Sequence, residues 1–149
     1  MRTDKVTLGD EKQIFLVGGA GYIGPVIAHH LLEKKYKVTI VDDFLYEHYG
    51  PITSLFLNDN FSFIRGEMGD LKLLDKIFSE GGKLVILGGL VGDPITKKYP
   101  IMAKNINEKS IKNLIDRAIE SPLEQAILVS TCSNYGLITD DKLANEDTK

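Results

Sequence analysis

The 149-residue sequence has little of several features that mark particular classes of protein. It contains a single cysteine, Cys132, so no internal disulfide can form, and this fits a reducing compartment. No apolar run approaches the ~20 residues of a membrane-spanning helix. The net charge is only −3, which argues against a strongly basic surface for nucleic acid or anionic lipid. We therefore expect a cytoplasmic protein that binds neither nucleic acid nor a membrane.

Histidines are also few. His29 and His30 are adjacent in a helical pattern and so point in different directions, and His48 stands alone in a loop. A zinc site needs several histidine or cysteine ligands that converge on one point. The sequence therefore predicts no metal site.

Apolar segments of two kinds alternate along the chain, with 43% hydrophobic residues overall. Short, nearly continuous apolar runs predict buried strands, and longer periodic runs predict helices. The predicted strands are Gln13–Val17, Lys37–Val41, Phe61–Arg65, Leu84–Leu87 and Gln125–Val129. The predicted helices follow the first glycine turn to about Lys35, then cover Ile52–Leu57, Leu71–Ser79 and Pro100–Glu120. This alternation predicts an α/β fold, a Rossmann-type doubly wound parallel sheet with helices on both faces.

A glycine-rich turn, Gly18-Gly19-Ala20-Gly21-Tyr22-Ile23-Gly24, lies between the first predicted strand and the first predicted helix. It contains G-x-x-G-x-x-G and the overlapping G-x-G-x-x-G. In a strand–turn–helix context this pattern is typical of a dinucleotide-binding loop, because the glycines let the backbone approach a pyrophosphate at the helix N-terminus. The alternative is a glycine-rich turn that binds nothing.

Asp42 supports a dinucleotide-binding loop rather than a turn that binds nothing. It follows the second predicted strand, and the dinucleotide fingerprint expects an acidic residue roughly 20 residues beyond the glycines, where it binds ribose hydroxyls. The same carboxylate would repel a 2′-phosphate, and no Lys or Arg immediately follows it, so NAD is favoured over NADP. The alternative for Asp42 is a loop carboxylate that caps a turn.

Other distinctive segments follow the remaining predicted strands: Gly66-Glu67-Met68, the loop from Gly88 to Pro94, and Ser130-Thr131-Cys132-Ser133. The carboxyl ends of parallel strands share one edge of a sheet, and ligands of open α/β sheets bind there. We therefore expect one ligand site built from all five strand ends.

With these motifs, the chain resembles the extended short-chain dehydrogenases/reductases, specifically the NAD-dependent epimerase/dehydratase family that acts on nucleotide sugars. The resemblance covers about residues 13–138. It implies an amino-terminal NAD-binding domain, over residues 1–149, without the substrate domain, and a nucleotide-sugar substrate for a homodimeric parent enzyme. The cofactor-binding residues that it implies are Gly18, Gly21, Tyr22, Ile23, Gly24, Asp42, Asp43, Glu67, Met68, Gly88, Gly89, Leu90, Asn107 and Ser130.

The resemblance also implies roles at the substrate. Thr131 corresponds to a catalytic hydrogen-bond donor of the family, and Val91 and Ser133 would contact the substrate. Simpler roles stay open: Met68 as core packing, Asn107 as a solvated helix residue, and Thr131 as a hydroxyl that satisfies loop backbone.

The catalytic base of the family is a Tyr-x-x-x-Lys pair, in which the lysine lowers the pKa of the tyrosine. None of the six tyrosines here has a lysine four residues later. We therefore expect a chain that ends after about the fifth strand of the fold, before the base, and that is inactive alone. Its parent would transfer hydride from a sugar carbon to NAD and return it. Two alternatives stay open: a non-catalytic NAD-binding or redox-sensing module, and a flavin- or NADP-using reductase relative.

Overall fold

The computed structural model describes residues 13–131, except the side chain of Asp93. Its strands are β1 (Gln13–Val17), β2 (Lys37–Asp42), β3 (Phe61–Arg65), β4 (Gly82–Ile86) and β5 (Leu123–Leu128). Its helices are α1 (Gly24–Glu33), α2 (Leu71–Phe78), α3 (Asp93–Lys98), α4 (Pro100–Lys104) and α5 (Ile111–Glu120), with a 3-10 helix at Gly50–Leu57 and a π segment at Asn105–Ser110. Within this range, no helix is both long and apolar enough to cross a membrane.

The five strands form one parallel sheet in the order β3-β2-β1-β4-β5. One row of paired residues crosses the whole sheet: Phe63, Ile40, Leu16, Val85 and Ile127. The chain reverses its direction of winding between β1 and β4, which is the switch point of a Rossmann fold. The predicted fold class is therefore confirmed.

Alternation along the strands gives the sheet two buried faces. Ile14 and Leu16 of β1 point to one face, where they pack with α1 and the 3-10 helix. Phe15 and Val17 point to the other face, where they pack with α2 and α5. Helices thus cover both faces, and the sheet can present a ligand site only at its ends.

The structure differs from the predicted elements in three respects. The predicted helix Pro100–Glu120 is divided by the π segment into α4 and α5. The six-residue α3 begins within the predicted loop from Gly88 to Pro94, where the sequence pattern predicts no helix, and β4 and β5 each begin two residues before the predicted strands. Gly92, with φ +99°, precedes α3, and Pro94 occupies its first turn. A helix of six residues is too short to show a hydrophobic period, so the sequence pattern did not reveal it.

Close backbone contacts at glycines join β1 to its neighbours. Gly18 has φ +75°, and a Cβ there would overlap the backbone of Gly88 beyond β4. A Cβ on Gly24 would overlap the carbonyl group of Gly19, so α1 packs directly on the turn that precedes it. Only glycine fits these two positions, as the sequence pattern predicted.

Substitution of Gly24 by alanine tests this packing. We expect Gly24→Ala to lower the free energy of unfolding by about 2 kcal/mol, because the added methyl group must displace backbone. Gly21→Ala is the matched control, since a Cβ at Gly21 meets nothing within 4 Å, and its effect should stay within about 0.5 kcal/mol. Urea denaturation measures both values. Equal losses for the two variants would contradict the assigned packing.

Candidate functional site

A cavity of about 770 Å³ opens at the carboxyl edge of the sheet. Its volume is within the usual range for small-molecule sites. Residues at or just beyond the end of every strand line it: Gly18, Asp42, Gly66, Leu87 and Val129. The structure therefore brings the five predicted strand ends together around one space.

The glycine turn forms one wall of this cavity. Gly18 N–H donates to the Val41 carbonyl at 2.7 Å, which holds the turn against β2. Gly21 lines the cavity, and the space where its side chain would stand is open. None of the described side chains caps the N-terminus of α1, and Pro25 in its first turn has no N–H. The remaining first-turn N–H groups and the helix dipole are therefore available to a phosphate group.

Asp42 connects this turn to the loop after β2. Its Oδ2 accepts from Ala20 N–H at 2.9 Å and its Oδ1 accepts from Phe44 N–H at 2.8 Å. Each carboxylate oxygen retains a further acceptor site. Asp42 therefore caps a turn, as one interpretation of the sequence held, and it also lines the cavity, where it can accept hydrogen bonds from a ligand.

The loop after β2 adds a wall that sequence reasoning missed. Phe44 has φ +58° and Glu47 has φ +52°, conformations that non-glycine residues rarely adopt. The Phe44 ring lies 4.5 Å from Tyr49 and 4.8 Å from Phe63 between ring centroids, and Glu47 N–H donates to the Phe44 carbonyl at 2.8 Å. These contacts hold the strained loop in place. Its lining residues are Phe44, Leu45, Tyr46, His48 and Pro51.

Charge in the cavity has one sign. Asp42, Asp43 and Glu67 line it, and no lysine or arginine does so within residues 13–131. A phosphate bound there would therefore depend on backbone N–H groups and on the α1 dipole rather than on a cationic side chain. Within the same described range, no group of three or more His, Cys, Asp or Glu side chains could hold a metal ion.

Met68 has two environments. It packs against the core cluster between the sheet, α2 and α5, and it also lines the cavity. Its methyl group fills the space where a Gly88 side chain would stand. The core role proposed for Met68 and a ligand contact are therefore compatible.

Asn107 holds the loop after β4 rather than facing the cavity. Its Oδ1 accepts from Leu90 N–H at 2.8 Å, and its Nδ2 donates to the Leu90 carbonyl at 2.8 Å. Leu90 itself is buried. Neither residue lines the cavity, so the direct cofactor contact predicted for each has no support in this geometry, because the asparagine amide is already paired with backbone. Asn107 thus binds the loop that also carries the cavity-lining residues Gly88 and Gly89.

The other predicted residues divide into three groups. Ser130 and Thr131 lie on the exposed segment after β5 and do not line the cavity, and Ser133 lies outside the described residues. The expected residues that do line it are Gly18, Gly21, Tyr22, Ile23, Gly24, Asp42, Asp43, Glu67, Met68, Gly88, Gly89 and Val91.

Sequence reasoning also missed the contribution of the π segment. Asn105, Ile106 and Ser110 all line the cavity. A normal helical period places residues five apart on different faces, so helical periodicity does not predict that Asn105 and Ser110 share one. The nearby pair Asn105 and Asn107 was the available signal. Only one of two residues so spaced on a helix can face the loop after β4, which leaves the other for a different surface.

Comparison with known proteins agrees with this geometry. The family model described as "NAD dependent epimerase/dehydratase family" matches residues 14–149, nearly the whole chain. The chain belongs to this family.

Relatives of the epimerase/dehydratase family support the assignment. A probable UDP-arabinose 4-epimerase from Arabidopsis thaliana is 32% identical over 135 residues, which cover 83% of this chain and 31% of the relative. A UDP-glucose 4-epimerase from Halalkalibacterium halodurans is 28% identical over 127 residues, covering 83% and 36%. The chain thus spans about a third of the length of these relatives.

Solved structures show the same fold. A UDP-glucuronic acid 4-epimerase mutant from Bacillus cereus, in complex with NAD and a fluorinated UDP-sugar, matches with a TM-score of 0.81 and 26% identity, covering 92% of this chain and 45% of that one. The UDP-Glc/GlcNAc 4-epimerase from Campylobacter jejuni gives a TM-score of 0.82 at 20% identity, covering 93% and 42%. The second likeness concerns the fold alone.

The Asn107 contact can be tested directly. We expect Asn107→Ala to lower the free energy of unfolding by about 1–3 kcal/mol, because the buried backbone of Leu90 loses both partners. Hydrogen exchange at the Leu90 amide should accelerate. Asn113→Ala is the control on α5, since the Asn113 side chain makes no hydrogen bond to any of the described residues. Unchanged exchange at Leu90 in Asn107→Ala would contradict the positioning role.

Proposed function

We propose that this chain is the NAD-binding portion of a nucleotide-sugar epimerase or dehydratase, which acts by hydride transfer to and from tightly held NAD. The main observation behind this proposal is the cavity at the sheet edge. There, Gly21 leaves open space next to the uncapped N-terminus of α1, and Asp42 lies at the end of β2. Membership of the NAD-dependent family supports the same conclusion.

NAD suits the distribution of groups around the cavity. The pyrophosphate would lie at the α1 N-terminus, beside Gly21, and the adenosine ribose hydroxyls would donate to Asp42. Glu67 and Met68 would meet the adenine, while Gly88 and Gly89 allow close approach of the loop after β4. A 2′-phosphate would face Asp42 and Asp43 without any lysine or arginine among the described lining residues, which disfavours NADP.

The substrate class is inferred from the relatives. Curated relatives include UDP-arabinose and UDP-glucose 4-epimerases, so a nucleotide sugar is the proposed substrate of the whole enzyme. A sugar carbon would lose hydride to the nicotinamide and its hydroxyl proton to a base, and the keto-sugar would then be altered and usually reduced again. Thr131 would donate a hydrogen bond to the reacting oxygen, with Val91 and Ser133 contacting the substrate.

The chain alone is expected to bind NAD without turnover. Its 149 residues contain no Tyr-x-x-x-Lys pair to take the proton. We further propose that the whole enzyme is a cytoplasmic homodimer.

Calorimetric titration with NAD, NADP and FAD tests the cofactor assignment. We expect NAD to bind at least about tenfold more tightly than NADP, as a charge-assisted hydrogen bond of ~1.5–3 kcal/mol would give. Asp42→Asn should reduce this ratio, because the repulsion of the 2′-phosphate is lost. Structural damage from losing the hydrogen bonds to Ala20 and Phe44 would weaken the binding of NAD and NADP alike. The ratio of the two affinities therefore isolates the effect of the charge.

Equal affinity of the unmodified chain for NAD and NADP would contradict the role proposed for Asp42. Tighter binding of FAD than of NAD would contradict the assignment of NAD as the cofactor. A parallel incubation with NAD and UDP-glucose should produce no NADH absorbance. Its appearance would show that the chain carries a base that this proposal does not include.

A further inference from the structure

The π segment, Asn105–Ser110, turns two polar side chains toward the cavity. Its hydrogen bonds join residues five apart, so each turn is wider than that of an α-helix. Residues five apart then lie nearly above one another, and Asn105 and Ser110 both line the cavity. Asn107, on another side of the same turn, binds the Leu90 backbone.

These two side chains have unused hydrogen-bonding capacity. Among residues 13–131, neither the Asn105 amide nor the Ser110 hydroxyl has a hydrogen-bond partner, whereas the Asn107 amide is paired through both of its polar atoms. Ser110 is half-buried. A half-buried hydroxyl at a cavity wall, with no partner in the chain, is suited to a ligand.

The neighbours of Ser110 indicate which part of a ligand it would meet. A Cβ built on Gly69 would lie 2.7 Å from Ser110 Oγ, so this hydroxyl lies against the loop between β3 and α2. Glu67 and Met68 of the same loop line the cavity. Asn105 lies one π turn away from Ser110, and Ile106 and Met102 of the same helical layer also line the cavity.

We propose that Ser110 hydrogen-bonds the adenine base of the bound dinucleotide, and that Asn105 binds its sugar–phosphate part beyond the adenosine. This inference rests on the proposed NAD function. A hydroxyl both donates and accepts, which suits the amino group and ring nitrogens of adenine, and an amide likewise suits ribose hydroxyls and phosphate oxygens. The π turn thus supplies two ligand contacts and one loop contact within six residues.

A comparison of two dinucleotides tests the contact of Ser110 with the base. We expect Ser110→Ala to weaken NAD binding about two- to tenfold, as loss of one hydrogen bond would give. The 1,N6-etheno derivative of NAD has the adenine amino group and ring N1 blocked by a hydrocarbon bridge, so the same substitution should change its affinity by a smaller factor. Ser79→Ala, which removes a surface hydroxyl that binds the Lys76 carbonyl, is the control and should change neither affinity.

A second pair of ligands tests Asn105. Asn105→Ala should weaken the binding of ADP-ribose about two- to tenfold and leave the binding of adenosine unchanged, with Asn113→Ala as the matched control. Thermal melts of each variant verify that the fold is retained. If the unmodified chain binds NAD and neither substitution changes any affinity, the inference is wrong while the proposed function stands. If the unmodified chain fails to bind NAD, both are overturned.

Discussion

The packing of β1, β4 and α1 depends on direct backbone contacts at the point where the sheet changes its direction of winding. Gly18 touches Gly88 across the ends of β1 and β4, and Gly24 touches Gly19 where α1 begins. Any side chain at Gly18 or Gly24 would separate these elements and move the α1 N-terminus away from the strand ends. These contacts bring the α1 N-terminus up to the strand ends, and the space beside Gly21 stays open as part of the cavity.

Two side chains connect the surrounding loops to these elements by hydrogen bonding to main-chain groups. Asp42 joins the glycine turn to the loop after β2, and Asn107 joins the helical layer to the loop after β4. Both pair with backbone groups that would otherwise be partly buried without partners. Preorganised loops of this kind let a ligand bind without first ordering the protein, which lowers the entropic cost of binding.

The sequence was informative where the controlling interactions are local. Buried strands are continuous apolar runs, and the glycine turn lies directly between β1 and α1, so the fold, the turn and the place of Asp42 at the end of β2 could be predicted. The aromatic wall around Phe44 could not, because its strained backbone is held by Tyr49 and by Phe63 on another strand. The role of Asn107 was also hidden, since its partner Leu90 is seventeen residues away.

The π segment shows why a helical pattern can be right in type and still misplace its functional residues. One wider turn costs regular hydrogen bonding, and it persists where other interactions compensate. Here the π segment makes two hydrogen bonds, through Asn107, to the backbone of Leu90 in the loop after β4. If the turn relaxed to an α-helix, Asn105 and Ser110 would diverge around the axis, and only one of them could still face the cavity. The hydrogen bonds to the loop after β4 thus come from the same wider turn that directs both polar groups at the cavity.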